Sequence, residues 1–332
     1  MAKKVLIVSN SADLHVDLLL PILQAKGCAA FRIDLDAFPR DYQSSQWFAG
    51  GSLRQSIRHL PSGELLDLAD VGAIWSRKPA EFSFLSPDLG VQERSYARAE
   101  TEQALFGMLY TLDCFWMSHP LALRGAMWKG EQLQRAARMG FRIPASLTTN
   151  VPADVKAFRT SVKGPMIFKA LSSPNLGGED LADEDRVAQG LGTTLVDDDM
   201  LEQLEAVGEL ACHFQEYIPK QYELRVTIIG ERVFAAKIHS QDDERTAIDS
   251  RDMSADIRYE AAALPDPLRE RCLAFVRSYG LTYSALDLIV TPEDDVVFLE
   301  NNPVGQFLYI EQLVPAFAML DALAGRLIEE CA

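Results

Sequence analysis

The chain opens on a short apolar run, Val5-Leu-Ile-Val8, that breaks into Ser9-Asn10-Ser11. Four apolar residues are too few for a signal sequence, so the pattern predicts a buried first strand. Asp13 stands where a helix cap belongs. The spacing behind it predicts a helix through Gln24, ended by Gly27, and then a strand over residues 29–35. A hairpin is expected around Pro61-Ser-Gly-Glu64, between residues 53–60 and 65–71. A short strand over 72–75, a long amphipathic helix over 91–113 and a strand-like stretch over 114–117 follow. This βαβ-rich opening suggests a small doubly wound domain. It lacks GxGxxG, which argues against a dinucleotide site there.

Pro120 suits the first position of a helix over 121–139 that Gly140 stops. Beyond a strand at 145–147 and a helix opening at Asn150 and Pro152 comes a buried-looking strand, Pro165-Met-Ile-Phe-Lys-Ala-Leu171. The turn-rich loop Ser172-Ser-Pro-Asn-Leu-Gly-Gly178 and an acidic stretch over 179–185 follow it. Asp197-Asp-Asp199 places negative charge at the start of a helix reaching about Ala206. From Leu210 the pattern turns to sheet, with strands over 212–217, 222–229 and 233–239. A helix over 268–279 precedes strands at 284–290 and 296–301, joined by Pro292-Glu-Asp-Asp295, and a helix over 316–329 closes the chain. The expected division is 1–118, 119–209 and 210–332, an α/β opening followed by two α+β subdomains.

Composition narrows the function classes. The 332 residues are 48% hydrophobic and 24% charged, ordinary for a globular chain with a sizeable core. The most apolar stretches are short and interrupted, so no membrane span is expected. Five cysteines without a CxxC pattern suit free thiols in a reducing cytoplasm, and five histidines show no zinc spacing. A formal charge of −16 argues against a nucleic-acid partner. Solubility accounts for that charge, and attraction of a partly basic peptide is the other reading.

Candidate chemistry concentrates near the C-terminus. Asp287 sits inside an apolar strand, and Phe298-Leu-Glu-Asn-Asn302 follows the next turn. Glu300 and Asn302 share a strand face. Two carboxylates and an amide, completed by phosphate oxygens, are hard donors suited to Mg²⁺. A polar strand end is the alternative, but an unpartnered buried carboxylate at Asp287 would be costly. Lys169, within an apolar strand, calls for an anion such as phosphate. Lys129 is either a second phosphate contact or a surface helix lysine. The segment Gln215-Glu216-Tyr217-Ile-Pro219 could offer backbone groups to an adenine. Glu223 could bind ribose hydroxyls beside Arg225, or the two could form a plain ion pair. Arg251 could stabilise charge on a phosphorylated carboxyl group. His239, near Lys237, is either a base or structural, and Arg77-Lys78 could face an acidic substrate.

Taken in order, Lys129, Lys169, Glu216-Tyr217, Glu223-x-Arg225, Lys237, Asp249-x-Arg251, Asp287, Glu300 and Asn302 resemble the ATP-grasp superfamily. The opening Val8-Ser-Asn-Ser-Ala-Asp13, the segment Arg32-Ile-Asp-Leu-Asp-x-Phe-Pro39 and Trp75-x-Arg-Lys-Pro79 narrow the resemblance. So do Lys129-x-x-Gln132-Leu133 and Gln215-Glu-Tyr-Ile-Pro219. The resemblance is to the microviridin-type, or graspetide, macrocyclases. It implies an ATP-grasp fold behind a pre-ATP-grasp domain, with ATP and Mg²⁺ as cofactors. Lys129, Lys169, Glu216, Tyr217 and Glu223 would contact nucleotide. Arg225, Arg251 and Lys237 would serve catalysis, and Asp287, Glu300 and Asn302 would hold magnesium. The implied partner is a ribosomal precursor peptide, whose Asp/Glu side chains are phosphorylated and then closed into rings by Thr/Ser or Lys side chains. A leader arginine could dock near Asp197, and relatives often form homodimers. Two positions depart from the pattern: Lys78 replaces a second arginine, and Trp128 replaces an asparagine. Competing readings are a ligase for free small molecules and a catalytically silent nucleotide-binding regulator.

Overall fold

The computed structural model describes residues 3–78, 80–172, 192–250 and 254–331. The first third folds as β1 (Lys4–Ser9), α1 (Leu14–Ala25), β2 (Ala30–Asp34), β3 (Tyr42–Ala49), β4 (Ser52–His59), β5 (Leu65–Asp67), β6 (Val71–Ser76), α2 (Val91–Leu109) and β7 (Phe115–Trp116). Strands β2-β1-β6-β7 form a parallel sheet. Its apolar runs are explained by cover on both faces. Val5, Ile7 and Ala73 pack with Val16, Leu19 and Leu23 of α1 on one side. Leu6, Phe31 and Ile33 pack with Leu105 and Leu109 of α2 on the other. Asp13 caps α1 by accepting from the His15 N–H.

Next come α3 (Pro120–Gly125), α4 (Lys129–Arg138), β8 (Ser146–Thr149), α5 (Pro152–Ser161), β9 (Met166–Lys169), β10 (Thr194–Leu195), α6 (Asp198–Glu202) and β11 (Cys212–Glu216). The last third holds β12 (Tyr222–Ile229), β13 (Arg232–Ile238), β14 (Tyr259–Ala262), α7 (Asp266–Arg277), β15 (Tyr283–Val290), β16 (Val296–Asn302), α8 (Leu308–Leu313) and α9 (Met319–Glu329). A central sheet runs β10-β9-β11-β8, and a C-terminal antiparallel sheet runs β14-β13-β12-β15-β16. One face of the C-terminal sheet packs on α4 and α7 through Leu224, Val226, Leu286, Leu288 and Phe298. Part of the other face merges with the N-terminal core, where Phe234, Ala236 and Tyr283 meet α1, α8 and α9.

Several expectations are corrected. The predicted hairpin is a three-stranded sheet, β3-β4-β5, whose extra strand turns through Gly50-Gly51, both at positive φ. The single helix over 121–139 is two, because the chain turns at Ala126–Trp128. Ala126 is fully buried there, and its carbonyl accepts from Gln132 Nε2 at 2.7 Å. Strand β11, expected beyond the 209/210 division, pairs instead with β8 and β9 in the central sheet. Strand β14 and helix α8 were not expected at all. The loop over 173–178, the acidic stretch 179–185, Pro79 and Arg251 lie outside the described residues.

Candidate functional site

Between the central and C-terminal sheets lies a cleft of about 570 Å³, within the roughly 300–1,000 Å³ usual for small-molecule sites. Strands β9 and β11 wall one side, and β12, β15 and β16 the other. Ile218, Ile289 and Leu299, packed on the buried Val297, give the cleft an apolar patch suited to a flat heteroaromatic ring. The remaining lining is mostly charged.

Asp287 and Glu300 are directly paired across β15 and β16, while Leu288 pairs with Phe298. Leu299 is therefore an extra residue, a bulge, and both it and Glu300 line the cleft while Phe298 stays in the core. Burial pushes the Asp287 carboxyl up, with Arg225 opposing and the Glu300 charge adding to the rise. Burial also acts on Glu300, but the ammonium groups of Lys129 and Lys169 outweigh it and hold that carboxyl down. Asn302 Nδ2 donates to Asp287 Oδ2 at 2.8 Å and Glu300 Oε1 at 3.4 Å. Turned over, the same side chain would add an amide oxygen to the two carboxylates. Paired carboxylates, one of them raised by the other's charge, fit a small divalent cation. Among the described residues no cluster of three His, Cys, Asp or Glu side chains offers a different metal site.

Cations surround this carboxylate pair. Lys129 is the first residue of α4; its Nζ lies 3.2 Å from Glu300 Oε2 and donates to Ala170 O at 3.0 Å. Lys169 ends β9 and lines the same cleft. On β12, Arg225 donates through Nη1 to both Asp287 oxygens at 2.8 Å and through Nη2 to Gln306 O at 3.3 Å. Gly305 makes that approach possible, since a Cβ there would stand 2.7 Å from Arg225 Nη2. Glu223 is held by Lys220 on one oxygen and by Ser250 Oγ, at 2.9 Å, on the other. Glu216 and Tyr217 also line the cleft, but their amides are engaged: Glu216 N–H donates to Ala145 O and Tyr217 N–H to Pro165 O.

Lys129, Lys169, Glu216, Tyr217, Glu223, Arg225, Asp287, Glu300 and Asn302 thus converge on one cleft. Lys237 does not. It pairs with Leu224 on β12, so it emerges on the sheet face opposite Arg225. There it lies over the Tyr222 ring at 4.1 Å and 3.6 Å from Glu260. His239 shares that face, hydrogen-bonded to Glu260 at 2.8 Å. Arg77 is buried, not presented to solvent: its Nε donates to Asp13 Oδ2 at 2.8 Å. Asp197 is occupied as a helix cap on Met200 N–H.

Sequence reasoning missed Lys220, Ser250, Gly305, Tyr309 and the apolar pair Ile289 and Leu299. Lys220 carried a usable signal, since a lysine three residues from Glu223 beside a proline strand end can fold back on it. The others are ordinary residue types whose place depends on distant elements meeting.

Comparison with known proteins follows this geometry. A family model described as MvdD pre-ATP grasp domain matches residues 4–124. No curated protein matches the chain by sequence. Among solved structures, the macrocyclase MdnC of Microcystis aeruginosa MRC, bound with precursor peptide MdnA, is 31% identical with a TM-score of 0.84, covering 98% of this chain and 99% of that one. A Chryseobacterium gregarium RiPP-associated ATP-grasp ligase, in complex with ADP and a leader and core peptide, is 27% identical with a TM-score of 0.89, covering 99% and 97%. Macrocyclase MdnB of Microcystis aeruginosa MRC is 27% identical with a TM-score of 0.78, covering 98% and 99%. End-to-end likeness at that identity, over a chain whose charged cleft lies between two α+β sheets, makes this protein a member of the microviridin-type ATP-grasp macrocyclase family.

Proposed function

We propose that the chain is an ATP-dependent ligase that closes rings in a ribosomal precursor peptide. The observation that carries this reading is the convergence of Lys129, Lys169, Glu223, Arg225, Asp287, Glu300 and Asn302 on one cleft. The apolar patch would take adenine, Glu223 the ribose hydroxyls, and the two lysines the phosphates. Asp287, Glu300 and Asn302 would hold Mg²⁺, which supplies charge neutralisation at the transferring phosphoryl group. An Asp or Glu side chain of the peptide attacks the γ-phosphorus, ADP leaves, and an acylphosphate forms. A Thr or Ser hydroxyl, or a Lys amine, then attacks its carbonyl and expels phosphate, giving an ester or amide and a net loss of one water per ring. Arg225, which lines the cleft, is proposed to bear on the acylphosphate charge, and Arg251 is proposed for the same role. A peptide partner is supported by relatives solved with precursor, leader or core peptide.

A protein of charge −16 must gather cations locally to admit an acidic substrate. Lys129, Lys169, Lys220 and Arg225 do so inside the cleft. Among the described residues no helix is long and apolar enough to cross a membrane, and the cytoplasm is the proposed location because ATP is there. A second copy of the chain is a proposed partner: β3 is an unpaired sheet edge with Trp47 and Phe48 exposed. Sedimentation of Trp47→Ser against the parent protein tests that point.

The decisive experiment is co-production with a short precursor, rich in Thr/Ser and Asp/Glu, encoded beside the gene. Products lighter by whole waters support the proposal. An unchanged precursor together with ATP turnover on free amino acids would assign a small-molecule ligase instead, and ATP binding without turnover on any acceptor would assign a regulator.

A further inference from the structure

Strand β16 is the outer strand of its sheet, so one edge of its backbone has no neighbouring strand. That edge is buried under α4, and its polar groups must find partners there. At Phe298 the amide donates to Arg142 O at 2.9 Å. At Asn301 the partner is a side chain. Gln132 Oε1 accepts from Asn301 N–H at 2.9 Å, and Gln132 Nε2 donates to Asn301 O at 2.9 Å. The same Nε2 donates to Ala126 O at 2.7 Å. One amide therefore mimics a strand residue at the position between Glu300 and Asn302. Gln132 is 2% exposed and Asn301 3%, so these bonds are fully desolvated and their loss leaves buried groups unpaired. Ser284 Oγ grips the Asn301 side chain at Oδ1 from the other direction, at 2.5 Å.

Helix α4 is itself well held. Arg135 stacks on the Tyr279 ring at 3.9 Å and donates to Ser278 O at 2.9 Å, and Tyr279 OH bonds Glu131. Its first residue, Lys129, reaches Glu300 directly. The helix thus contacts the carboxylate from one end and fixes its backbone from the next turn.

We propose that Gln132 is a positioning residue of the magnesium site. It touches no reacting atom; it sets the backbone between Glu300 and Asn302 so that both side chains present oxygens to one cation. The inference rests on the magnesium reading above. Gln132→Glu keeps the shape and the acceptor for Asn301 N–H, but sets a carboxylate against the carbonyls of Asn301 and Ala126. Gln132→Met removes all three bonds.

The test is ADP affinity by calorimetry, with and without Mg²⁺, on the full chain. Both variants should lose roughly tenfold of the Mg²⁺-dependent gain in affinity, as supporting groups of metal sites do, with Mg²⁺-free ADP binding unchanged. Ser284→Ala should lose two- to threefold in the same measurement and decides the matter if the Gln132 variants do not fold. Glu131→Gln, one residue away on the same helix, should leave the Mg²⁺ gain intact while lowering the melting temperature. If Gln132→Met and Ser284→Ala lower only melting temperature and leave the Mg²⁺ gain unchanged, Gln132 is purely structural and the proposal falls. If Glu300→Gln also leaves the Mg²⁺ gain unchanged, the magnesium reading itself falls.

Discussion

The two sheets that enclose the cleft are built to different standards. The C-terminal sheet has five strands and apolar packing on both faces, from Phe275 and Phe298 on one side to Phe234 and Leu323 on the other. Its charged residues are locked by short pairs such as Arg225 with Asp287. The central sheet has four short strands over a small core, chiefly Val155, Met166, Leu204, Val207 and Phe214. Its lysine at the end of β9, Lys169, lines the cleft, and its charge helps to hold down the Glu300 carboxyl on the other sheet. The difference separates a thickly packed sheet, proposed to hold the metal, from a thinner one, proposed to cover the nucleotide and expected to be the less stable part of the molecule.

The largest effect should come from the rigid side. Glu300→Gln removes the Lys129 partner and a proposed ligand together. Ring closure should fall by roughly a hundred- to a thousandfold, the scale of losing one pre-organised charge contact. The melting curve should stay close to that of the parent; a variant that still cyclises its precursor at parental rate would remove the metal assignment.

On the thinner side, Phe214→Ala should cost about 3–5 kcal/mol, because Phe214 is buried against Phe168 at 5.9 Å between ring centroids. Hydrogen exchange should accelerate across β8 to β11 and leave β12 to β16 protected. Equal acceleration in both sheets would show that they unfold as one unit.

A smaller effect should follow pH. Burial, with the charges of Lys169 and Lys129 adding, pushes the His213 imidazole down to about 4. The folded chain then binds fewer protons than the unfolded one wherever pH lies between about 4 and the ordinary value near 6.5. The stabilisation is complete above the unfolded value and is lost as pH falls toward 4. Its full size is of order 3 kcal/mol. Exchange in the central sheet at pH 7 and pH 5 should reveal it, and His213→Gln should flatten that difference.

The smallest effect concerns Trp128, which holds the cap position of α4 without a side-chain bond and is 64% exposed. Trp128→Asn should add about 0.5–1 kcal/mol of thermal stability, since asparagine accepts from a free helix amide. A drop in melting temperature would mean that the indole is engaged in the folded protein.

How far the sequence could be read depended on whether a residue was out of place locally. Asp287 and Lys169 stand in apolar strands, and that mismatch alone announced a charged partner. Lys237 entered through the family resemblance, which says nothing of register: it pairs with Leu224, and one residue of alternation turns it away from the cleft. Strand β3 was missed because nearly all of its side chains are exposed and it shows no alternating apolar face. Gln132 sat in plain view within a recognised motif, yet its role exists only where α4 meets an unpaired strand edge. The helix 121–139 failed for a simpler reason: Gly125 and Gly130, on either side of the turn that buries Ala126, are breaker signals that were not used.

The bulge at Leu299 has a consequence for chain length. Strand side chains alternate, so the strand has a parity, and Leu299 is one residue added on the cleft side. Deleting it would restore a regular ladder with Glu300 and Asn302 still facing the cleft, at the expense of part of the apolar patch. Keeping it while ironing out the bulge would turn Glu300 into the core beside Phe298. The lineage can therefore lose a residue here and keep Glu300 and Asn302 on the cleft face, whereas an unbulged insertion would turn Glu300 away.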